Sequence, residues 1–552
     1  MKIICNPLNL PYRYQMRGAS HPACREAADP TLLEVNGQYA LFPSMTAGFH
    51  TSEDLCTWTF HVLPENLPAN DYAPDGCVLN GEVQLCASHG SKNGSFYRSR
   101  DPLAAPFREI PGTFPFWDPH QFVDDDGRLY FYWGCSNAQP ILGVEMDRNT
   151  MHPLGEPVPL IAGHPEQLGY ERMGEDGSDE NSAPWIEGAW MTKHNGRYYL
   201  QYAAPGTEFN TYADGVYESD HPLGPFVPAK SLPYSFVPDG FAQGAGHGST
   251  LRTRDGRLFH ASTMRISVNH PFERRLGLWR AGFDADGLMY CDQRYADWPM
   301  ALEDAPFSPP RWMLLSHGKP VRASSGKNAA CAVDENIRTW WSASGNQPGE
   351  WLEVDLQAAC QLNAVQINFA DEGLFLEPPC PTEGLEQGRY IERVPQHTRW
   401  LLEGSTDGKA YFVLSDKRRA ETDLPHDLVV REAGVVCRFL RLTVQELPYG
   451  QKARISGLRV FGHAEGELPR LISSQATREG ALDMLVTWDT EGADGVCIQW
   501  GSAPDKLYHS CLTYAPGMRR ITALCEGQRV WFRVDAFNGS GITCGEVQEV
   551  EE

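Results

Sequence analysis

A short phrase recurs five times in the first 300 residues, and it limits this part of the chain to a β-rich fold. Asn-Gly or Asp-Gly is followed each time by a mostly apolar or aromatic run, as in DGRLYFYW from Asp126 and NGRYYLQY from Asn195. Both residues of such a turn tolerate positive φ, so these dipeptides are the strongest short-range hairpin signals. The pattern predicts five β-hairpins, with turn glycines Gly37, Gly81, Gly127, Gly196 and Gly256.

The turn glycines lie 44, 46, 69 and 60 residues apart. The two shorter spacings match a four-stranded propeller blade of roughly 40–50 residues, and the longer two require insertions. One insertion, at 164–184, is rich in Glu, Asp and Gly. We therefore predict a five-bladed β-propeller. A run of unrelated hairpins in a sandwich is the alternative.

Composition and charge narrow the class of protein further. A length of 552 residues suggests several domains, and a net charge of 47 − 71 = −24 argues against a nucleic-acid partner or an anionic membrane surface. No apolar run approaches the roughly 20 residues of a membrane span, and the first run is too short for a signal peptide. Fifteen dispersed cysteines without a Cys-x-x-Cys pair indicate reduced thiols and a cytoplasmic location.

A second set of positions lies upstream of the turns. Asp29 stands eight residues before the first turn glycine, and Tyr72, Asp118, Glu187 and His247 stand nine residues before the other four. The innermost strand of each blade lines the central channel, so equivalent positions should converge at one end of it. Carboxylates in one pocket suit glycoside hydrolysis, in which an acid protonates the leaving oxygen and a base activates water on the opposite face.

Each of these residues also has a structural interpretation. Asp29 and Asp118 precede prolines and could be turn residues. His247, in GAGHGS, could be a hydrogen-bonded core histidine. Glu187, in WIEGAW, is harder to explain, because a carboxylate among apolar residues is costly to bury without a purpose. The shared spacing favours the functional interpretation of the whole set.

On these residues the first 300 positions resemble glycoside hydrolase family 43, the five-bladed propeller enzymes that include β-xylosidases and α-L-arabinofuranosidases. The resemblance implies an inverting hydrolase acting on oligosaccharides or polysaccharide-derived substrates and releasing xylose or arabinofuranose.

Alternatives stay open. The released sugar could be arabinopyranose or galactofuranose, and the protein could be a non-catalytic carbohydrate-binding propeller. A retaining fructosidase would need an Asn-Asp-Pro-Asn-Gly setting, whereas the chain has Ala-Ala-Asp-Pro-Thr. The matching phrases are REAADPTLL, DYAPDG, FWDPHQFVDDDGRLYFYWG, IEGAWMTKHNGRYYLQY and GAGHGS.

The resemblance also implies catalytic roles. Asp29 would be the general base that activates water, and Glu187 would be the general acid. Asp118 would orient that acid and favour its protonated form through like-charge proximity.

Binding residues and a metal follow from the same resemblance. Tyr72 and Trp117 would contact the substrate, together with Arg274 or Arg275. His247 resembles a histidine near a calcium ion in the channel, often held through water. The resemblance implies no organic cofactor.

The rest of the chain is predicted to be β-rich as well. A proline-rich stretch at 298–312 marks the end of the propeller domain, which we place at residues 1–308. The phrases RTWWSASG and GEWLEVDL resemble a discoidin-like jelly roll, placed at 309–465, with a long insertion at 371–394. The alternating strands of MLVTWDTEGADGVCIQWG resemble a fibronectin type III sandwich, placed at 466–552. No motif defines the oligomeric state.

Overall fold

The fold is all-β, as predicted. The computed structural model describes residues 1–64, 67, 72–383 and 385–551. Asp71, the first residue of the DYAPDG phrase, lies outside this range. None of the helices in the described ranges is long and apolar enough to cross a membrane. The helices of the described residues are short 3₁₀ turns at Gly169–Glu171, Glu175–Gly177, Ala329–Val333, Glu386–Gly388 and Pro448–Gly450.

Antiparallel sheets of consecutive strands dominate the first 291 residues. Three short strands come first: β1 (Ile3–Ile4), β2 (Arg13–Met16) and β3 (Cys24–Glu26). Sheet A contains β4 (Thr31–Val35), β5 (Gln38–Phe42), β6 (Gly48–Ser52) and β7 (Thr59–Val62). Sheet B contains β8 (Asp75–Leu79), β9 (Glu82–Cys86), β10 (Ser95–Ser99) and β11 (Arg108–Pro111).

Three further sheets repeat the same order. Sheet C contains β12 (His120–Val123), β13 (Leu129–Trp133), β14 (Ile141–Met146) and β15 (Val158–Ile161). Sheet D contains β16 (Glu187–His194), β17 (Arg197–Ala204), β18 (Ala213–Ser219), β19 (Val227–Pro228) and β20 (Ser235–Phe236). Sheet E contains β21 (Gln243–Arg252), β22 (Leu258–Arg265), β23 (Arg274–Phe283) and β24 (Met289–Cys291).

The first strands of sheets A to E lie side by side and close a ring. Strand β4 contacts β8, β8 contacts β12, β12 contacts β16, β16 contacts β21, and β21 contacts β4. The ring brings the residues at the beginning of these five strands to one end of a common axis. A further strand, β25 (Met300–Ala301), pairs with β1.

The next part of the chain forms a sheet around two long strands, which we call the C-terminal sheet. Strand β29 pairs with β33 along most of its length, with bulges that interrupt the ladder. The strands are β26 (Met313–Leu314), β27 (Val321–Ala323), β28 (Trp341–Ser342), β29 (Glu350–Phe369), β30 (Tyr390–Ile391), β31 (Arg399–Ser405), β32 (Phe412–Asp416), β33 (His426–Glu446) and β34 (Arg454–His463). All but β30 belong to this sheet, and β30 pairs with β2 of the ring region.

Two small sheets follow at the C-terminal end. Strands β35, β36 and β39 form one, and β37, β38, β40, β41 and β42 form the other. Their bounds are β35 (Arg470–Arg478), β36 (Met484–Glu491), β37 (Gly495–Gly501), β38 (His509–Thr513), β39 (Met518–Ile521), β40 (Trp531–Asn538), β41 (Gly541–Cys544) and β42 (Gln548–Glu549).

The cysteines are free thiols. All fifteen lie in described positions, and nine of them are buried. Burial raises the pKa of Cys86 and of Cys497 well above the usual thiol range, because a thiolate is poorly solvated there. Such thiols are inert packing groups.

The three parts of the chain share buried contacts. Trp298, from the end of the ring region, meets Phe461 at a centroid distance of 5.9 Å and Phe537 at 5.2 Å. Beside them, Arg459 is fully buried and pairs at 2.7 Å with both Asp297 and Glu335. The guanidinium thus balances two buried carboxylates that come from different parts of the chain.

We expect Arg459→Met to destabilise the protein by about 3–5 kcal/mol, because it leaves two buried carboxylates without their cation. Thermal unfolding followed by circular dichroism measures the change. Arg470→Met is the matched control, since Arg470 and Glu491 form a pair whose side chains are both mostly exposed. Equal unfolding temperatures for the two variants would contradict the assignment of this ion pair to the core.

Candidate active site

One residue in left-handed backbone conformation lies just before the uninterrupted pairing of the innermost strand in every sheet of the ring. These residues are Asp29 (φ 47°), Ala73 (φ 47°), Asp118 (φ 47°), Gly188 (φ 64°) and His247 (φ 49°). Each stands two positions before the uninterrupted ladder of its strand. Non-glycine residues adopt this conformation at a cost of roughly 1–3 kcal/mol, and such strain is concentrated at functional sites.

The structural alignment differs by one residue from the predicted one in two sheets. The equivalent positions in sheets B and D are Ala73 and Gly188, so Tyr72 and Glu187 each stand one residue earlier. The cause is the length of the turn. Sheets A, B and D use two-residue Asn-Gly turns, whereas five residues separate the paired strands in sheets C and E. Counting back from the glycine therefore gives eight in one group and nine in the other.

The ring brings four predicted residues together. Nδ1 of His247 lies 3.5 Å from Oδ1 of Asp29 and 3.7 Å from Oδ2 of Asp118. Asp118, Glu187 and His247 each offer an N or O atom within 4.8 Å of the others. Gly188 makes this approach possible, since a Cβ there would lie 2.7 Å from Cγ of His247. Three carboxylates and one imidazole therefore face a common point.

Asp29 is held as an anion. Its carboxylate accepts hydrogen bonds from Ser44 Oγ at 2.6 Å and from Arg274 Nη1 at 3.0 Å. Burial alone would raise its pKa, but Arg274, His247 and the hydroxyls of Ser44 and Thr263 outweigh burial and lower the pKa of Asp29. A buried carboxylate that stays ionised can accept a proton from water.

Asp118 is held differently. Burial raises the pKa of Asp118 to about 7, and the nearby charges of Glu187 and Asp29 act in the same direction, while His247 opposes them. Ser88 Oγ lies 3.2 Å from Oδ1 of Asp118 and also accepts the Asp118 backbone N–H at 3.0 Å. Burial and like-charge proximity thus favour the protonated form of Asp118.

Two side chains that the sequence analysis did not identify hold Glu187. Tyr212 donates its hydroxyl to Oε1 at 2.6 Å, and Cys135 donates its thiol to Oε2 at 3.1 Å. Both lie at strand ends of sheets C and D, just outside the paired ladders. No local motif marks either residue, because their proximity to Glu187 depends on how two sheets pack.

His247 supplies positive charge to the cluster. Burial opposes protonation, but Asp29, Asp118 and Glu187 together raise the pKa of His247. The imidazolium and the Arg274 guanidinium thus face the three carboxylates.

The structure separates the two arginines that the sequence left as alternatives. Arg274 reaches Asp29, whereas Arg275 donates to Nε2 of His426 at 2.8 Å and to the backbone oxygen of Arg25 at 2.6 Å. Arg275 is therefore directed toward the C-terminal sheet and away from the cluster. The reason is strand alternation, which sends neighbouring side chains to opposite faces.

The two predicted aromatic contacts lie in different surroundings. The Tyr72 ring lies beside Arg274, whose guanidinium carbon is 5.5 Å from the ring centroid. Trp117 directly precedes Asp118 in the sequence. Its side chain packs against Gly90, and the residue is 38% exposed. Tyr72 thus belongs to the wall next to Asp29, and Trp117 presents an open aromatic surface beside Asp118.

Comparison with known proteins finds a family match within the ring region. Residues 23–289 match the family model described as Glycosyl hydrolases family 43. The chain is similar to Beta-D-galactofuranosidase xynD of Aspergillus niger, with 25% identity over 279 residues, which is 44% of this chain and 74% of that protein. The family model and the relatives support glycoside hydrolase family 43, and with it a glycosidase.

Two further relatives carry different names. A Beta-xylosidase of Xylanibacter ruminicola is 29% identical over 151 residues, 24% of this chain and 44% of that protein. Xylosidase/arabinosidase 43B of Humicola insolens is 28% identical over 269 residues, 42% of this chain and 46% of that protein. The chain therefore spans less than half the length of these two relatives.

The raised pKa of Asp118 predicts a pH-dependent effect of Asp118→Asn on stability. A carboxyl whose pKa is raised on folding stabilises the protein fully below its ordinary value of 3.8, and this contribution is lost as the pH rises to about 7. Asparagine mimics the neutral form at every pH. The gain in unfolding temperature of Asp118→Asn over the wild type should therefore grow across this interval and then level off.

Differential scanning calorimetry in the presence of a chelator measures this gain without interference from bound cations. Asp125→Asn is the control, since the Asp125 side chain is 85% exposed. A gain for Asp118→Asn that does not change with pH would contradict the raised pKa.

Proposed function

We propose that the closed ring of sheets A to E, within residues 1–308, is a five-bladed β-propeller catalytic domain of an inverting glycoside hydrolase. The observation that carries the proposal is the convergence of Asp29, Asp118 and Glu187 with His247 at one end of the ring. The carboxylates come from sheets A, C and D, so they surround the axis instead of lining one strand.

The proposed chemistry is a single displacement. Asp29, ionised by Arg274 and His247, accepts a proton from a water molecule whose oxygen bonds to the anomeric carbon. The bond between that carbon and the glycosidic oxygen breaks, and Glu187 gives the proton that it shares with Asp118 to the departing oxygen. Asp118, which lies near Asp29 and Glu187, orients Glu187 and shares a carboxyl proton with it. Solvent then restores the proton on Glu187 and removes it from Asp29.

The proposed substrate is an oligosaccharide or a polysaccharide-derived glycan that ends in a pentose or a furanose. Relatives named as xylosidases, arabinosidases and a galactofuranosidase support this range. Xylose and arabinofuranose are the favoured released sugars, and galactofuranose is the alternative. Tyr72, Trp117 and Arg274 are proposed to contact the sugar.

The C-terminal parts are proposed to be accessory β domains. Residues 309–465 would form a discoidin-like jelly roll around the long strands β29 and β33, and residues 466–552 would form a fibronectin type III-like sandwich. The last segment contains two small sheets, and strand β35 of one contacts strand β40 of the other, which supports the second assignment.

The test of the function is a screen of aryl glycosides of xylose, arabinofuranose, arabinopyranose and galactofuranose. We expect one of them to be hydrolysed, and Glu187→Gln and Asp29→Asn each to lower kcat by at least about 10³-fold on a substrate with a poor leaving group, since general acid–base assistance contributes roughly 10²–10⁴-fold. Asp125→Asn is the matched carboxylate control and should retain full activity. NMR of the first-formed sugar should show the inverted anomer.

Two outcomes would contradict this assignment. A variant of Glu187 or Asp29 that keeps more than a tenth of the wild-type rate would exclude that residue from the mechanism. Binding of the sugars without hydrolysis of any glycoside would favour the non-catalytic carbohydrate-binding propeller.

A calcium ion near His247 is a further part of the proposal. Ca²⁺ takes six to eight oxygen ligands, and the cluster supplies carboxylate oxygens from Asp118 and Glu187 together with one imidazole. Because a hard cation such as Ca²⁺ prefers oxygen ligands, the imidazole fits contact with the ion through a coordinated water. The ion would add positive charge at the end of the ring, while Asp29 retains the role of base.

Removal of divalent ions tests this proposal. We expect a chelator to lower the melting temperature or the activity, because three carboxylates would then share fewer positive charges, and we expect Ca²⁺ to restore the lost property. Metal analysis of protein purified without chelators measures occupancy directly. Less than about a tenth of an ion per chain, with no effect of the chelator, would disprove the site.

A further inference from the structure

The insertion that follows strand β29 of the C-terminal sheet reaches back to the ring. Residues 371–394 leave the end of β29, and their strand β30 pairs with β2, with Ile391 opposite Gln15 and Tyr390 opposite Met16. The backbone N–H of Ala23 also donates to the Leu374 oxygen at 2.7 Å. The insertion predicted from sequence is therefore docked beside the strands that lead into Asp29.

The pairing of β30 with β2 places Arg389 beside Glu26 and Tyr72 at the edge of the candidate site. Its Nη1 donates to Gln15 Oε1 and to Glu26 Oε2, each at 2.7 Å. Its Nη2 donates to the hydroxyl of Tyr72. Arg389 is only 7% exposed, so its contacts are to the protein, and a direct contact with substrate is not its main role.

Glu26 connects Arg389 to the cluster. The Glu26 carboxylate is fully buried and lies between two guanidinium groups. One oxygen accepts Arg389 at 2.7 Å, and the other accepts Arg274 Nη2 at 2.8 Å. Arg274 in turn donates Nη1 to Asp29 at 3.0 Å. A continuous chain of charge-assisted hydrogen bonds thus runs from the C-terminal sheet to the proposed general base.

Tyr72 is held by the same two arginines. The guanidinium carbon of Arg389 lies 5.3 Å from the Tyr72 ring centroid, and that of Arg274 lies 5.5 Å from it. Phe272 meets the ring edge-on at 5.6 Å. The orientation of this aromatic wall therefore depends on a residue more than 300 positions away in the sequence.

We propose that Arg389 is a positioning residue of the pocket: it fixes Tyr72 and, through Glu26, Arg274. The inference rests on the proposed glycosidase function, and it assigns part of the pocket's geometry to the C-terminal sheet. Without Arg389, Glu26 keeps a single cation, Arg274, which is then free to follow Glu26 away from Asp29. Small misplacements of such groups cost about 10–100-fold in rate.

The test compares Arg389→Gln, Arg389→Lys and Tyr14→Phe in the full chain. Arg389→Gln should lower kcat/KM by about 10–100-fold. Arg389→Lys should recover part of the loss, because lysine restores the positive charge but lacks the several planar donors of the guanidinium. Tyr14→Phe is the matched control, since Tyr14 lies on β2 and donates to Asp371 of the same insertion at 2.7 Å without touching Glu26 or Tyr72. It should lower the unfolding temperature and leave kcat and KM unchanged.

Two more measurements separate positioning from stability. The effects of Arg389→Gln and Glu26→Gln on kcat/KM should be strongly non-additive, because both interrupt one chain of contacts. In the Glu187→Gln background, Arg389→Gln should also weaken the binding of D-xylose or L-arabinose, whichever binds, by about tenfold, because Tyr72 and Arg274 are no longer fixed.

The possible failures are distinguishable. A wild type that hydrolyses none of the glycosides disproves the proposed function, and the sugar titration and the unfolding temperatures still test Arg389. An Arg389→Gln variant that lowers the unfolding temperature as Tyr14→Phe does, but binds sugars and turns over substrate like the wild type, overturns the inference.

Discussion

The left-handed residue just before the uninterrupted pairing of each innermost strand is the constraint on which the candidate site depends. In three of the five sheets its N–H is accepted by a hydroxyl from the neighbouring sheet: Ser44 accepts from Ala73 at 2.7 Å, Ser88 from Asp118 at 3.0 Å, and Thr263 from Asp29 at 2.8 Å. The last of these bonds joins sheet E to sheet A, where the ring closes. Without this hydrogen bond, the N–H of the residue would be buried and unpaired. The hydroxyl that accepts it therefore stabilises the strained backbone conformation.

Charge balance follows from this arrangement. Three carboxylates at the end of the ring would repel one another in a poorly solvated space, and burial of each is costly unless it is paired. Arg274 and His247 compensate part of the charge, and a proton on Asp118 compensates more. The partition has a chemical consequence: Asp29 stays ionised and suited to act as a base, while the raised pKa of Asp118 favours its protonated form below about pH 7.

Several features could be read from the sequence because they depend on local chemistry. The five Asn-Gly or Asp-Gly turns mark real hairpins, and the all-β class follows from them. The distance from the left-handed residue to the turn glycine is eight residues in three sheets and nine in two. The sequence did not explain this difference, because two-residue and five-residue turns contain the same Asn-Gly or Asp-Gly dipeptide. Arg274 and Arg275 were equally suitable by residue type, and only the direction of strand β23 decides which one meets Asp29. Cys135 and Tyr212 carry no motif at all.

The sequence by itself therefore determined the elements and the residue types of the site: β-hairpins, acidic residues at repeated positions, and a histidine in a glycine-rich strand. These depend on backbone preferences and on spacing along one chain. The tertiary structure alone decided which groups share a proton, which arginine is paired with Asp29, and that Arg389, from the insertion after β29, reaches Glu26 and Tyr72. Electrostatic coupling depends on distances of a few ångströms between side chains hundreds of residues apart, and no local pattern encodes those distances.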